Sequence, residues 1–296
     1  MNNQAVISVR NLSREFGAIK ALSGVSLDIE SGSVVGLLGP NGCGKTTLMK
    51  HIIGLYLPSH GHVEVFGTEA RELSGDQMTR IGYVSQDSEL MSWLNVGETL
   101  DFARAHHPHW DESLAARLVG EFELQRHQKV GELSGGQKQR LSIVLGVAHR
   151  PQLLLLDEPA AALDPVVRQD FLDLMMELIQ APDRTILISS HILTDVEKVI
   201  DKVLIMDHGT VHCFQPLDDL REEYYRVSLN ALGGKLPTEL GLSGVKHVVR
   251  DGGGATVTIH NPQRSGLERE LAQLACKAEM RHLEFEEIYR LVVTGK

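Results

Sequence analysis

The sequence predicts an α/β fold with a parallel sheet at its centre, an antiparallel β-subdomain, an inserted helical lobe and a small α+β unit at the end. Three observations carry this. The apolar run Val34–Leu38 ends in a glycine-rich turn, and a helical pattern opens at Lys45. Residues 153–156 are four consecutive leucines, as expected of a parallel strand buried on both faces, and they end in Asp157-Glu158. Between these two strands, from about residue 87 to about 150, the two-residue alternation gives way to helical spacing.

Taken in order, residues 7–9 and 25–29 read as short strands with a turn region between them. Val34–Leu38 is a buried strand and 45–55 a helix, after which Pro58 and Gly61 mark a turn. Val63 and Val65 alternate with polar neighbours, and Ile81–Val84 is another strand. In the helical stretch Asp111 is an N-cap ahead of Leu114, Leu118, Val119 and Phe122 on one face, and Ser134 caps a helix over 137–148. Asp164-Pro165 starts a helix with proline in its first turn, and Phe171, Leu172, Met175, Leu178 and Ile179 form its buried side. Thr185–Ser189 and 203–206 are further buried strands, and 209–213 is an antiparallel strand beyond them. The acidic segment 218–223 reads as a linker. Beyond it, 225–229, 247–250 and 255–260 read as strands and 267–277 and 285–293 as helices.

Composition narrows the function. The 296 residues suffice for one large or two modest domains, and 42% hydrophobic with 23% charged is ordinary for a globular protein. A net charge of -10 argues against a surface that grips nucleic acid or anionic lipid. Three cysteines, Cys43, Cys213 and Cys276, make no disulfide framework and fit a reducing compartment. No apolar run approaches the roughly 18 residues of a membrane span, and residues 1–4 lack a signal pattern. Work at a membrane therefore calls for a separate anchoring chain.

The turn after Val34–Leu38 fits the P-loop spacing G-x-x-x-x-G-K-[ST] through Gly39, Gly44, Lys45 and Thr46. Glycines let the backbone curl so that its N–H groups point at a phosphate chain, and the dipole of the following helix favours negative charge. The candidate phosphate-binding residues are Gly39, Pro40, Asn41, Gly42, Cys43, Gly44, Lys45, Thr46 and Thr47. Lys45 is placed to reach the outer phosphates and Thr46 to bind Mg²⁺. A chance glycine turn does not account for the full pattern behind a Val/Leu strand. Asp157, at the carboxyl end of its strand, would hold Mg²⁺ through the ion's water shell, and Glu158 would polarise the attacking water. Ser134-Gly135-Gly136-Gln137 opens a helix and forms a second anion site on the same physics, on a different lobe from the first. One chain cannot readily bring both sites onto one nucleotide, whereas two chains head-to-tail can.

These motifs, in this order and spacing, resemble an ATP-binding cassette (ABC) ATPase subunit over residues 1 to about 215. The resemblance implies a RecA-like P-loop core with a helical lobe at about 87–150, an ATPase domain over 1–220 and an accessory domain over 221–296. It implies ATP and Mg²⁺ as ligands. Phe16 is similar to the aromatic that stacks on adenine, and Gln86 to the glutamine that contacts Mg²⁺ and the attacking water. Residues 134–137 resemble the signature that closes on ATP held by a partner subunit, and Asp164 the aspartate of the loop crossing between subunits. His191 resembles the switch histidine at the γ-phosphate. Lys45, Gln86, Glu158 and His191 are thus the expected catalytic set, and Thr46, Gln86 and Asp157 the expected Mg²⁺ set. The implied function is ATP hydrolysis driving a separate membrane permease, closest to single-cassette exporter subunits with a short C-terminal extension. The implied assembly is a homodimer in the cytoplasm, on the inner face of the membrane, without nucleic acid.

One departure stands out: Ala160-Ala161-Ala162 occupies a stretch where the family commonly carries Ser or Thr. The rival classes are an iron–sulfur assembly ATPase, against which the C-terminal extension speaks, and a non-catalytic nucleotide-dependent regulator, against which Glu158 and His191 speak. His106, His107 and His109 raise the question of zinc, but Pro108 breaks any helix that would converge the rings, and no acid or cysteine completes a ligand set. The segment 108–111 looks instead like a short link found in one branch of exporter ATPases. The appended domain reads as extra packing or a dimer contact.

Overall fold

The computed structural model describes residues 5–87, 89–181, 183–233, 236–274 and 276–295, so residues 1–4, read above for a signal pattern, lie outside it. The chain forms two compact units, divided between Phe214 and Gln215.

The first unit opens with β1 (Ala5–Phe16) and β2 (Ile19–Glu30), a hairpin of two 12-residue strands rather than two short ones. Register shifts between Val9 and Leu12 and again before Glu15 break the period-two pattern, so alternation in the sequence marks only part of each strand. The wholly buried β3 (Val34–Leu38) leads through the glycine turn into α1 (Lys45–Ile52). β4 (His60–Val65) and β5 (Thr68–Glu69) complete an antiparallel sheet of order β2-β1-β4-β5. The short α2 (Gly75–Met78) precedes β6 (Ile81–Val84). The helical lobe comprises α3 (Val96–His106), α4 (Glu112–Glu121) and α5 (Gly135–Val147). Asn95, Asp111 and Ser134 cap them by accepting a backbone N–H three residues on.

The chain then returns through β7 (Leu153–Asp157), α6 (Pro165–Leu178), β8 (Thr185–Ser189), α7 (Leu193–Val196), β9 (Lys202–Asp207) and β10 (Thr210–Pro216). The sheet order is β10-β9-β3-β8-β7-β6. From β9 to β6 the pairs are parallel, while the two residues between β9 and β10 leave room only for a reversal. Only β8 separates β3 from β7, so the glycine turn after β3 and the carboxylates ending β7 open on one edge of the sheet, its carboxyl edge.

At the opposite edge His149, just past α5, is buried. Its Nδ1 lies 3.2 Å from the Leu145 carbonyl oxygen and its Nε2 3.1 Å from that of Ile81, and the His107 ring stacks on it at 4.0 Å. Burial first, and His107 second, depress its pKa to about 4, against the two carbonyls that favour a charged ring. The unfolded chain therefore takes up a proton near pH 6.5 that the folded chain refuses until about pH 4, so stability should fall as pH drops through that window, by about 3 kcal/mol in total. Urea unfolding of wild type and His149→Leu between pH 7 and 5 checks this: the variant should lose the steeper part of the wild-type slope, and parallel slopes would refute it.

The second unit runs α8 (Leu217–Glu223), β11 (Tyr224–Ala231), β12 (Val245–Asp251), β13 (Gly254–His260), α9 (Arg264–Ala272), β14 (Cys276–His282) and α10 (Phe285–Thr294). Its antiparallel sheet has the order β12-β13-β11-β14. The acidic stretch read as a linker is α8, with Leu217 and Leu220 buried. The helix expected over 267–277 ends at Ala272, and β14 is an additional strand. Leu267, Leu271 and Leu274 keep helical spacing across the boundary, and β14 buries too little of itself to show an alternation. Val227, Leu229, Val257, Ile259, Leu267 and Leu271 form this unit's own core.

Candidate active site

At the carboxyl edge of the six-stranded sheet lies a cavity of about 380 Å³. Its walls bring together Asn41, Gly42, Gly44, Lys45, Thr46 and Thr47 from the glycine turn and α1. Gln86 enters from just beyond β6, Glu158 from the end of β7 and His191 from just beyond β8, and Ala21 and Ala161 complete the lining.

The turn needs its glycines. A Cβ on Gly39 would stand 2.3 Å from the Met206 carbonyl oxygen, and one on Gly44, at φ +107°, 2.6 Å from that of Ala21. Gly44 is also the N-cap of α1, and no side chain caps the helix there. Its first-turn N–H groups are thus left for a ligand, and the turn itself carries no acid. The buried Lys45 ammonium donates to the Gly39 carbonyl at 2.8 Å and the Pro40 carbonyl at 3.3 Å, which fixes its reach over the turn. Cys43 is buried, and burial pushes its thiol pKa up, so it acts as a small packed residue.

The two carboxylates differ. Asp157 is fully buried; its Oδ1 accepts from the Ser189 hydroxyl at 2.8 Å and its Oδ2 is buried without a hydrogen-bond partner. Burial pushes its pKa up, and the Thr46 and Ser189 hydroxyls pull it back. A buried, unshared carboxylate oxygen beside a threonine hydroxyl is a hard oxygen donor set, so these residues fit Mg²⁺. Glu158 sits in the left-handed region at φ +51°. Its Oε2 accepts from the His191 backbone N–H at 3.2 Å and lies 2.7 Å from His191 Nδ1, while Oε1, 3.7 Å from Lys45 Nζ, makes no hydrogen bond. One Glu158 oxygen is thus anchored by His191, and the other makes no hydrogen bond and faces the Lys45 ammonium.

Not every expected residue meets here. Phe16, at the end of β1, is 41% exposed and is absent from the cavity wall; its ring meets Tyr56 edge-on at 5.6 Å and the Arg14 guanidinium at 4.5 Å. Ser134 and Gln137 form a reciprocal cap, Gln137 N–H to Ser134 Oγ and Ser134 N–H to Gln137 Oε1, and residues 134–137 do not line the cavity. Asp164 caps α6 through the Val166 and Val167 N–H groups and pairs with Arg140 of α5 at 2.7 Å. Sequence reasoning missed that pair, and it also passed over Ser189, whose only signal was a polar residue closing an apolar strand.

The sequence profile described as "ABC transporter" matches residues 22–161. The ABC transporter ATP-binding protein YtrB of Bacillus subtilis is 34% identical over 224 residues, covering 76% of each chain. The chain belongs to the ATP-binding subunits of ABC transporters. The sulfate/thiosulfate import ATP-binding protein CysA of Synechococcus elongatus is 36% identical over 210 residues, 69% of this chain and 61% of that one. Among solved structures, a dimeric, post-hydrolysis ATP-binding cassette bound to ADP and Pi superposes with a TM-score of 0.63 at 26% identity, covering 71% of this chain and 98% of that one. The ABC cassette binds ATP with Mg²⁺ and hydrolyses it, and its fold is the P-loop NTPase α/β class expected from the sequence.

Proposed function

We propose that this cassette powers an exporter, as a homodimer that sandwiches two ATP molecules and drives a separate membrane permease from the cytoplasmic face. The carrying observation is the division of the site. One cavity gathers the P-loop, Gln86, Glu158 and His191, while the second phosphate-binding helix start, at Ser134, stands outside it. A partner chain is what would supply the missing half.

In this reading the N-terminus of α1 and Lys45 would hold the phosphates, and Thr46, Asp157 and Gln86 would hold Mg²⁺. Mg²⁺ when bound neutralises phosphate charge. Glu158 Oε1 accepts the proton of the attacking water, and His191, hydrogen-bonded to Oε2, keeps Glu158 aimed and faces the γ-phosphate. Closure of the partner's 134–137 segment excludes water and completes the donors around the outer phosphate. Among the described residues no helix is long and apolar enough to cross a membrane, in keeping with a separate permease. The export direction rests on the link at 108–111 and the C-terminal extension, and the relative CysA is named for import.

Inside-out vesicles carrying the cassette and its permease test this. ATP-dependent accumulation of substrate in the lumen is the expected result. ATP-dependent loss from preloaded vesicles would reverse the direction and leave the ATPase assignment standing, whereas no ATP-dependent flux in either direction would remove the permease.

A further inference from the structure

Ser189 closes β8 and stands beside Asp157 in the parallel register of β7 and β8. It is fully buried. Its hydroxyl donates to Asp157 Oδ1 at 2.8 Å and accepts the Glu158 backbone N–H at 2.9 Å. One hydroxyl proton and one lone pair thus serve both adjacent acids at once. Donation to a carboxylate is a charge-assisted bond, stronger than a neutral one.

The two bonds have separate consequences. The first fixes the rotation of the Asp157 carboxylate, so that Oδ2 is the oxygen left without a hydrogen-bond partner. The second ties down the amide of Glu158, whose φ of +51° is a conformation that side chains beyond glycine adopt at a cost. That backbone conformation, together with the bonds from His191, sets where Glu158 Oε1, which makes no hydrogen bond, points.

We propose that Ser189 is a positioning residue for hydrolysis: a single hydroxyl that orients the metal-facing oxygen of Asp157 and holds the left-handed turn at Glu158. This rests on the roles given above to those two acids. A Ser189 that only satisfied buried polar groups would contribute to folding stability alone. A positioning Ser189 separates chemistry from nucleotide binding, because Lys45 and the N–H groups of α1 do not depend on it.

The test uses the full-length chain. Ser189→Ala removes both bonds and keeps the backbone and Cβ. It should lower kcat about 10- to 100-fold, the scale on which small misplacements of reacting groups act. KM for ATP and Mg²⁺-free nucleotide affinity should stay within about threefold of wild type. The gain in nucleotide affinity on adding Mg²⁺, measured by calorimetry without turnover, should shrink. Ser189→Thr, which keeps the hydroxyl, should recover most of kcat.

A Ser189→Ala kcat within about threefold of wild type overturns the proposal. So does a loss of Mg²⁺-free nucleotide affinity as large as the loss of kcat, since that marks a scaffold residue. Should Ser189→Ala fail to fold, Ser189→Cys, of similar shape with weaker sulfur bonds, carries the same expectations and the same overturning outcomes. Glu158→Gln serves as the control. If that variant turns over at the wild-type rate, the reading of Glu158 fails and the proposal falls with it; if it is inactive while Ser189→Ala is normal, only Ser189 is misassigned.

Discussion

Glu158→Gln should lower ATP turnover by about 10²- to 10⁴-fold, the usual range for removing a general base. The substitution keeps the shape of the side chain and an oxygen for the His191 N–H, so the left-handed turn and the walls of the cavity should persist. What disappears is the anionic Oε1, which makes no hydrogen bond and lies 3.7 Å from Lys45 Nζ. Nucleotide affinity should be nearly unchanged, since Lys45 and the start of α1 remain. With hydrolysis stopped, ATP should hold two chains together, and size-exclusion chromatography should show a dimer that appears with ATP and is absent with ADP. Turnover within about threefold of wild type would sink the assignment.

Ser134→Arg is expected to lower hydrolysis by at least about 10²-fold, as for loss of a donor at a transition-state anion, while leaving nucleotide binding to the monomer intact. Ser134 does not line the cavity, so the variant's own P-loop is untouched. The lost cap costs the fold only about 0.5–2 kcal/mol, and thermal unfolding should show the protein still folded. The decisive measurement is complementation. Lys45→Ala damages the P-loop and leaves the signature whole, so mixing it with Ser134→Arg creates dimers with one wild-type composite site and one doubly damaged site. Activity should reappear on mixing two preparations that are each inactive. If Ser134→Arg loses ATP affinity as badly as Lys45→Ala does, the signature acts within its own chain and the trans arrangement is wrong.

The most legible parts of this protein were those whose chemistry is written in consecutive residues. The glycine turn, the Asp157-Glu158 pair and the caps at Asp111, Ser134 and Asp164 each depend on neighbours a few positions away, and the structure forms those turns and caps as local physics requires. What stayed hidden depends on register or on partners far along the chain. Ser189 meets Asp157 only because β7 and β8 are in parallel register, 32 residues apart. Phe16 meets the Tyr56 ring edge-on and the Arg14 guanidinium over its face, a cluster assembled from the end of β1 and the loop after α1. β14 was missed because an edge strand with both faces largely wet has no hydrophobic alternation to read.

The bare N-terminus of α1 ties the durability of this protein to its occupancy by nucleotide. Gly44 offers the helix no side-chain oxygen, and a capping residue placed there would clash with the Ala21 carbonyl. In this arrangement nucleotide phosphate becomes the cap. Ligand present at about 100 times its dissociation constant stabilises a fold by about 2.7 kcal/mol. That is a large share of what a domain of this kind has to spare above unfolding. The cassette should therefore resist proteases better with nucleotide bound than without it, because opening of the P-loop helix then costs more.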